Sequence, residues 1–365
     1  MTRTIKGLIM LGAAVAAILL LQYQSAFADT IRWRMATGRT PALTPYHDAD
    51  VQLTETINAM TGGRMQVTIH PAGELLPPFE VFDAVRTGTI HAGAAWSTYW
   101  TSKNTAFDLF CSMGYMMHPS DWITWLYEGG GLELGQELYA KYNIKFFPMA
   151  VTGPESGFRT NKPIRTLEDF KGVNLRSGVL QNIWVLEQVG ANPVRIPGGE
   201  IYMALRLGTI DGAEFGVPST DWNMKLQEVT KYQVTPAGWH QVGTVSDLMI
   251  NMDAWNKLPT DIQVIIENAA KANLIWSYAK ANWDAVEAME KFKAAGIEES
   301  RLDDEAVARL EELSIAYIER EAKRNPDYAK IAKSMVEYLK RSDALREAEG
   351  RFSSGSNLKR YPEIE

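Results

Sequence analysis

Arg176 ends the short run Val173-Asn-Leu-Arg176 and is followed by Ser177-Gly178. If that run is a strand, the guanidinium lies beyond its carboxyl end, where parallel α/β sheets hold their ligands. A guanidinium gives a carboxylate two parallel hydrogen bonds, which an ammonium cannot match. A solvated surface arginine fits the position equally well. Glu214 closes a second strand-like run, 209–213, in an equivalent place. An acid buried there needs a cation, an arginine or hydrogen-bond donors beside it, because an unpaired buried charge is costly. The chemistry on offer is recognition of a charged small molecule.

Motifs for bond-breaking chemistry are absent. There is no G-x-S-x-G, H-E-x-x-H or C-x-x-C, and no phosphate-cradling glycine loop of standard spacing. His47, His70, His91, His118 and His240 are scattered, with no i,i+4 pair to hold a metal. Cys111 is the single cysteine, which rules out an intramolecular disulfide. Within Leu109-Phe110-Cys111-Ser112-Met113 it reads as an inert buried thiol. The chain is therefore expected not to be an enzyme, although triads can assemble from distant residues.

The elements that must position Arg176 and Glu214 are marked by an internal repeat. Glu80-Val-Phe-Asp-Ala-Val-Arg-Thr-Gly-Thr-Ile90 returns as Glu200-Ile-Tyr-Met-Ala-Leu-Arg-Leu-Gly-Thr-Ile210, with six of eleven positions identical. Each copy reads as a short helix closed by Gly88 or Gly208 and followed by a strand. One unit used twice, a domain's length apart, predicts two similar α/β lobes with a ligand cleft between them. Strands are expected at 31–35, 65–69, 93–96, 145–151 and 173–176, and helices at 47–60, 121–142 (broken at Gly129-Gly130-Gly131) and 166–170. This order predicts a mostly parallel sheet. From Pro259 a helical pattern runs to Ala295, and about 35 residues at 1.5 Å each span about 50 Å. Leu274, Ile275, Tyr278, Ala281 and Val286 roughly share a face that should lie across both lobes. Two more helices are expected at 303–324 and after Pro326, then a frayed polar tail from Ser353.

The chain has 365 residues, 46% hydrophobic and 22% charged, enough for two or three domains with a sizeable core. Arg3 and Lys6, the apolar run 7–21 and Ser25-Ala26-Phe27-Ala28 form a leader with a cut expected after Ala28. An exported, periplasmic protein follows. Without the leader the net charge moves from −7 to about −9. An acidic surface with no basic block argues against nucleic acid or anionic membrane as partner.

The run Gly190-Ala-Asn-Pro-Val-Arg-Ile-Pro-Gly-Gly-Glu200, continuing through the repeat to Glu214, strongly resembles solute-binding proteins of tripartite ATP-independent periplasmic (TRAP) transporters. Tyr127-Glu-Gly-Gly-Gly-Leu-Glu-Leu134 and Lys162-Pro-Ile-Arg-Thr-Leu-Glu-Asp-Phe-Lys-Gly172 fit the same family. The similarity covers essentially the chain after the leader. It is greatest to the branch that binds 2-oxo or 2-hydroxy monocarboxylates with a metal cation. The resemblance implies an α/β, two-lobe periplasmic binding protein fold with a cleft between the lobes and a long bracing helix. Lobe I would take 29–150 with part of 242–260 returning to it, and lobe II 151–241. Residues 258–365 would be the long helix and C-terminal helices packing on both. The implied function is capture of an organic acid and its delivery to the TRAP membrane permease. A receptor serving a sensor or chemotaxis system and an enzyme on the same scaffold are the alternatives.

The resemblance also implies that Arg176 pairs with the ligand carboxylate. A cation would be held by the side chains at 155 and 214 and the Phe215 carbonyl. Glu155 stands where the family carries Gln, and His240 and Gln241 stand where close relatives tend to carry an acid. Glu155, Glu214 and a ligand carboxylate would set three negative charges against Arg176, which favours Ca²⁺ over Na⁺. Protonation of Glu155 is a competing solution. A third is that Glu155 turns aside to Arg159 or His240, leaving no metal. Trp96, Tyr99, Trp100, Phe158, Phe215 and Trp239 are candidate aromatic walls, giving a cleft expected to take more than the smallest acids. Of these, Tyr99, Phe215 and Trp239 join Arg176, Glu155 and His240 as expected ligand contacts.

Overall fold

The two copies of the repeat take nearly the same backbone path. In the computed structural model, which describes residues 30–350, 360 and 362–364, each copy forms a helical turn and a short helix, Val81–Arg86 or Ile201–Arg206. Gly88 and Gly208 follow at φ of 75° and 71°, a left-handed conformation that costs glycine little. The chain then enters a strand at Ala92 in one copy and Gly212 in the other, later than the sequence suggested. The expected leader, 1–28, and the polar tail from Ser353 to residue 359 lie outside the described residues.

Each copy feeds its own sheet. The first contains β1 (Ile31–Thr37), β2 (Met65–His70), β3 (Ala92–Ala95), β4 (Ile144–Thr152) and β10 (Thr244–Asn251), in the order β2-β1-β3-β10-β4. The second contains β5 (Arg159–Thr160), β6 (Asn174–Arg176), β7 (Asn192–Val194), β8 (Gly212–Ala213), β9 (Tyr232–Thr235) and β11 (Glu298–Arg301), in the order β11-β9-β5-β8-β6-β7. Pairs built by strand–helix–strand units are parallel, as expected: β1 with β2 and β3, and β6 with β7 and β8. The sheets as wholes are mixed. β10 runs antiparallel to β3 and β4, and β5 antiparallel to β8 and β9, because these strands adjoin the places where the chain crosses between sheets. β11 was not foreseen: four polar residues carry no alternation, and pairing with β9 decides them. The expected helix at 166–170 is only a 3₁₀ turn, Glu168–Phe170.

Segments 153–158 and 236–243 carry the chain between the sheets and lie side by side, with Glu155 N–H donating to the Gln241 carbonyl at 3.2 Å. The 35-residue helix Thr260–Ala294 makes a third connection. It packs on β4 and the helix Tyr46–Met60 of the first half, and on the helix Pro218–Asn223 of the second. Its buried face differs from expectation. Leu274 and Ala281 are buried, but Ile275 and Val286 are 71% and 66% exposed. Asn273 and Ser277 take the inner face instead. Asn273 Nδ2 donates to the Ala49 and Met149 carbonyls, and Ser277 Oγ bonds both the N–H and the carbonyl of Val151. Polar residues that bind the backbone of the neighbouring helix and strand hid the true stripe. At the far end Phe292 packs edge-on against Trp222 and under Arg159, whose guanidinium carbon is 3.6 Å from the ring centre.

The helix Asp304–Arg324 packs against the second half through Ala306, Leu310 and Leu313. The helix Pro326–Glu349 covers the first half through Tyr328, Ile331 and Met335. Asn325 joins them, its amide donating to Asn104 and Thr105 while its oxygen caps the second helix.

Candidate functional site

Arg176 and Glu214 sit at the ends of neighbouring parallel strands, where β6 pairs with β8 in the register Arg176↔Ala213. Arg176 Nη1 donates to the Glu214 carbonyl at 2.8 Å and to Glu214 Oε1 at 3.3 Å, and Nε donates to the Ile196 carbonyl at 3.1 Å. Gly178 N–H donates to Glu214 Oε1 at 2.7 Å. Both side chains are almost fully buried. The surface-arginine reading therefore fails, and Glu214 has the arginine and the donor that its burial demands.

The crossing segments bring the rest of the site. Glu155 lies in the first; its Oε1 accepts from Thr244 Oγ1 at 3.1 Å, and Oε2 lies 3.5 Å from His240 Nε2 in the second. Glu155 does not reach Arg159, whose Nε is 3.2 Å from Asp221 in a buried pair. Of the two turned-aside arrangements only the approach to His240 exists. Burial and the charge of Glu214 push the Glu155 carboxyl well above its usual range, and burial pulls the His240 ring down to about 4. Both groups are thus driven toward neutrality, which weakens any charge attraction across the 3.5 Å contact. The Glu155, Glu214 and His240 ligand atoms lie within 4.8 Å of one another, all buried.

Glu155, Arg176 and Glu214 border a cavity of ≈ 20 Å³ between the halves. Trp96, Tyr99 and Phe215 form its aromatic side, with Trp96 edge-on to Phe215 at 5.5 Å and Arg176 over the Phe215 ring at 5.1 Å. Gly198 permits this wall: a Cβ there would fall 2.2 Å from the ring. Trp100, Phe158 and Trp239 do not line the cavity. Trp100 Nε1 donates to the Tyr139 hydroxyl within the core, and Trp239 stacks on Phe158 at 5.9 Å. His240 sits behind Glu155 rather than at the cavity wall. The free volume is about that of one water, too little for any acid as the halves stand.

Thr98, Gly178, Val179 and Thr244 line the cavity and were missed; small and neutral, they carry no signal in the sequence. Cys111 also lines it, though it was read only as core. Its thiol is pushed well up by burial and by Asp247 and Asp108, which keeps it protonated and inert. Several buried polar atoms at or beside the cavity have no hydrogen-bond partner among the described residues: the Tyr99 hydroxyl, Glu155 Oε2, Gln241 Oε1 and both His240 ring nitrogens. Buried polar atoms normally find partners, so these are free to meet a guest or water.

Direct contacts hold the two halves together around the cavity. Thr98 Oγ1 donates to the Gly178 carbonyl at 2.9 Å, and Arg195 Nη2 donates to the Thr98 carbonyl. Gln181 Oε1 accepts from Gly114 N–H at 2.7 Å, and its N–H donates to Asp108.

Two mixed sheets joined by crossing segments, with a polar cavity between them and a helix bracing both, define a solute-binding receptor. The chain belongs to the bacterial extracellular solute-binding proteins of family 7, matched over residues 36–325, the receptors of TRAP transporters. It is 32% identical over 304 residues to the monocarboxylate 2-oxoacid-binding periplasmic protein of Nostoc sp., covering 82% of each chain. It resembles the TRAP periplasmic solute-binding protein of Colwellia psychrerythraea, solved with bound calcium and pyruvate, with TM-score 0.83, 29% identity and coverage of 88% of this chain and 97% of that one. A Pseudoalteromonas atlantica counterpart solved with sodium and pyruvate gives TM-score 0.83, 28% identity and coverage of 88% and 97%.

Proposed function

We propose that this chain is a periplasmic receptor that takes a small 2-oxo or 2-hydroxy monocarboxylate with a cation and passes it unchanged to a TRAP permease. The observation that carries the reading is the commitment of Arg176. Its Nε and Nη1 are fixed by the Ile196 and Glu214 carbonyls, while Nη2 has no hydrogen bond among the described residues. A guanidinium so held is pre-oriented, which lowers the ordering cost of binding. Nη2 takes one carboxylate oxygen and the Tyr99 hydroxyl the other, while Phe215 and Trp96 flank the carbon chain. Relatives solved with pyruvate and a cation support an acid of this class.

Glu155, Glu214 and the Phe215 carbonyl are the groups that would hold the cation. The unpartnered Glu155 Oε2 and the oxygen-rich donor set fit such an ion. When bound, the cation neutralises the carboxylates and anchors an oxygen of the ligand. Thr244 and Gly178 orient the two carboxylates. Trp239 acts through packing behind them.

The halves act as lobes, 29–150 with the 242–260 return and 151–241, that part to admit the ligand and close on it. The long helix and the helices beyond it, 258–365, span both. An export leader cut after Ala28 brings the receptor to the permease. The test is a thermal-shift screen of small organic acids on EDTA-treated protein, with Ca²⁺ or Na⁺ restored. Stabilisation by 2-oxo acids that needs a cation, with the acid recovered chemically unchanged, supports the reading. No stabilisation by any monocarboxylate under either condition refutes it.

A further inference from the structure

His240 is placed as a metal ligand is placed. It follows the turn Ala237–Trp239 in the second crossing segment, and its ring is wedged against Phe158 at 5.3 Å and Trp239 at 5.5 Å. It is 0% exposed, and among the described residues neither ring nitrogen makes a hydrogen bond of good geometry. A structural core histidine would ordinarily spend at least one nitrogen on a protein partner. Here Nε2 points at Glu155 Oε2, itself without a partner.

We propose that His240 Nε2 joins Glu155 and Glu214 as a protein ligand, and that the site prefers a first-row transition dication such as Zn²⁺ or Co²⁺ over Ca²⁺ and Na⁺. The inference rests on the cation-dependent reading given above and names the ion that serves it. Ca²⁺ takes six to eight oxygen ligands, whereas imidazole nitrogen suits Zn²⁺, Co²⁺ and Ni²⁺. Two carboxylates and one imidazole, with open positions, match a three-ligand site that leaves room for a chelating guest. A 2-oxo acid offers its 2-oxo oxygen and one carboxylate oxygen. Charge agrees with the donors: a neutral imidazole adds none, so a dication still balances Glu155, Glu214 and the ligand against Arg176. Around the ligands, Thr244 holds Glu155 and Gly178 N–H holds Glu214, the outer contacts that orient metal-binding carboxylates.

The test loads the EDTA-treated chain with one ion at a time: Zn²⁺, Co²⁺, Ca²⁺ or Na⁺, with and without pyruvate. Calorimetry should find Zn²⁺ and Co²⁺ bound at least about tenfold tighter than Ca²⁺, a difference of about 1.4 kcal/mol. The Co²⁺ form should show a strongly shifted proton resonance from a coordinated imidazole N–H. That resonance and the preference should vanish in His240→Gln, while His240→Asp should restore Ca²⁺ as the tighter ion. The other histidines are retained in both variants, so adventitious sites remain in the comparison. The wild-type Co²⁺ spectrum needs no variant to fold. Ca²⁺ binding as tight as Zn²⁺, or a Co²⁺ spectrum without a coordinated imidazole, overturns the proposal. Pyruvate separates the two readings: binding with Ca²⁺ but with no effect of His240→Gln removes this inference and leaves the receptor standing. Imidazole-bound Co²⁺ without any acid binding does the reverse.

Discussion

Arg176 Nη1 donates to both the backbone carbonyl and the side-chain carboxylate of Glu214, at 2.8 and 3.3 Å. The strands beneath them are paired as well, Glu214 N–H donating to the Arg176 carbonyl at 3.3 Å. The charged pair at the floor of the cavity is thus an extension of the β6–β8 ladder. The sheet supplies the rigidity that a ligand-binding guanidinium needs.

Arg195 should govern affinity without touching the ligand. Its Nη2 reaches from the second half to the Thr98 carbonyl and, at 3.3 Å, to Thr101 Oγ1 of the first. If the halves part and close as proposed, these bonds form only in the closed state. Hydrogen bonds from charged groups contribute about 1.5–3 kcal/mol. Arg195→Ala should therefore weaken binding about tenfold to a hundredfold, at about 1.4 kcal/mol per decade. Stopped-flow measurements should place most of the loss in faster release. An unchanged dissociation rate would show that the contact is not a latch.

Stability should fall as pH rises, in a window set by buried acids. Burial lifts the Asp247 carboxyl to about 8, despite its hydrogen bond from Tyr139 and the charge of Arg39. An unfolded aspartic acid titrates near 3.9. The folded state therefore holds the proton more tightly between those values, and the contribution present below about pH 4 is lost as pH climbs through about 8. Asp247→Asn, which can still accept from Tyr139, should melt a few degrees above wild type at pH 9 and no higher at pH 4. Each kcal/mol relieved is worth about 2–4 °C. Parallel melting curves of the two proteins across that range would contradict the assignment.

Glu155→Gln should change which charge the site wants. Removing one carboxylate leaves Glu214 and the ligand against Arg176, a surplus that a monovalent ion cancels. In the variant, Na⁺ alone should support pyruvate binding, and added divalent ions should improve affinity by less than about tenfold, or 1.4 kcal/mol. Wild-type protein should gain more than that from a divalent ion. Titrations in sodium-free and sodium buffers with defined divalent ions read the difference directly. Equal ion dependence in the two proteins would remove Glu155 from the cation's surroundings.

Arg176 and Glu214 were legible because each closes a short strand, and strand ends in α/β sheets are identifiable from pattern and turn residues. The repeat was equally plain, since Gly88 and Gly208 take the left-handed turns their spacing implied. The crossing segments were not. Glu155, Gln241 and Thr244 lie in or next to irregular backbone, where no periodicity says which way a side chain points. Their convergence depends on contacts between residues nearly ninety positions apart, such as Thr244 with Glu155. The long helix shows the opposite failure. Its limits were clear from Pro259 and Gly296, but hydrophobicity named Ile275 and Val286 as buried, whereas the buried places went to Asn273 and Ser277. A polar side chain bonded to strand backbone looks, in sequence, like one facing water.

Arg176 is proposed as the carboxylate's partner, and ligand capture depends on it most. Breaking one partner of a buried pair typically costs about 3–5 kcal/mol. Calorimetric titration of pyruvate into cation-loaded Arg176→Ala should show affinity reduced by about two to three and a half orders of magnitude. Arg176→Lys should recover only part of it, because the forked geometry is lost. Both variants must keep the wild-type far-ultraviolet spectrum for the comparison to count. A dissociation constant for Arg176→Ala within about threefold of wild type, less than 1 kcal/mol, would contradict the account.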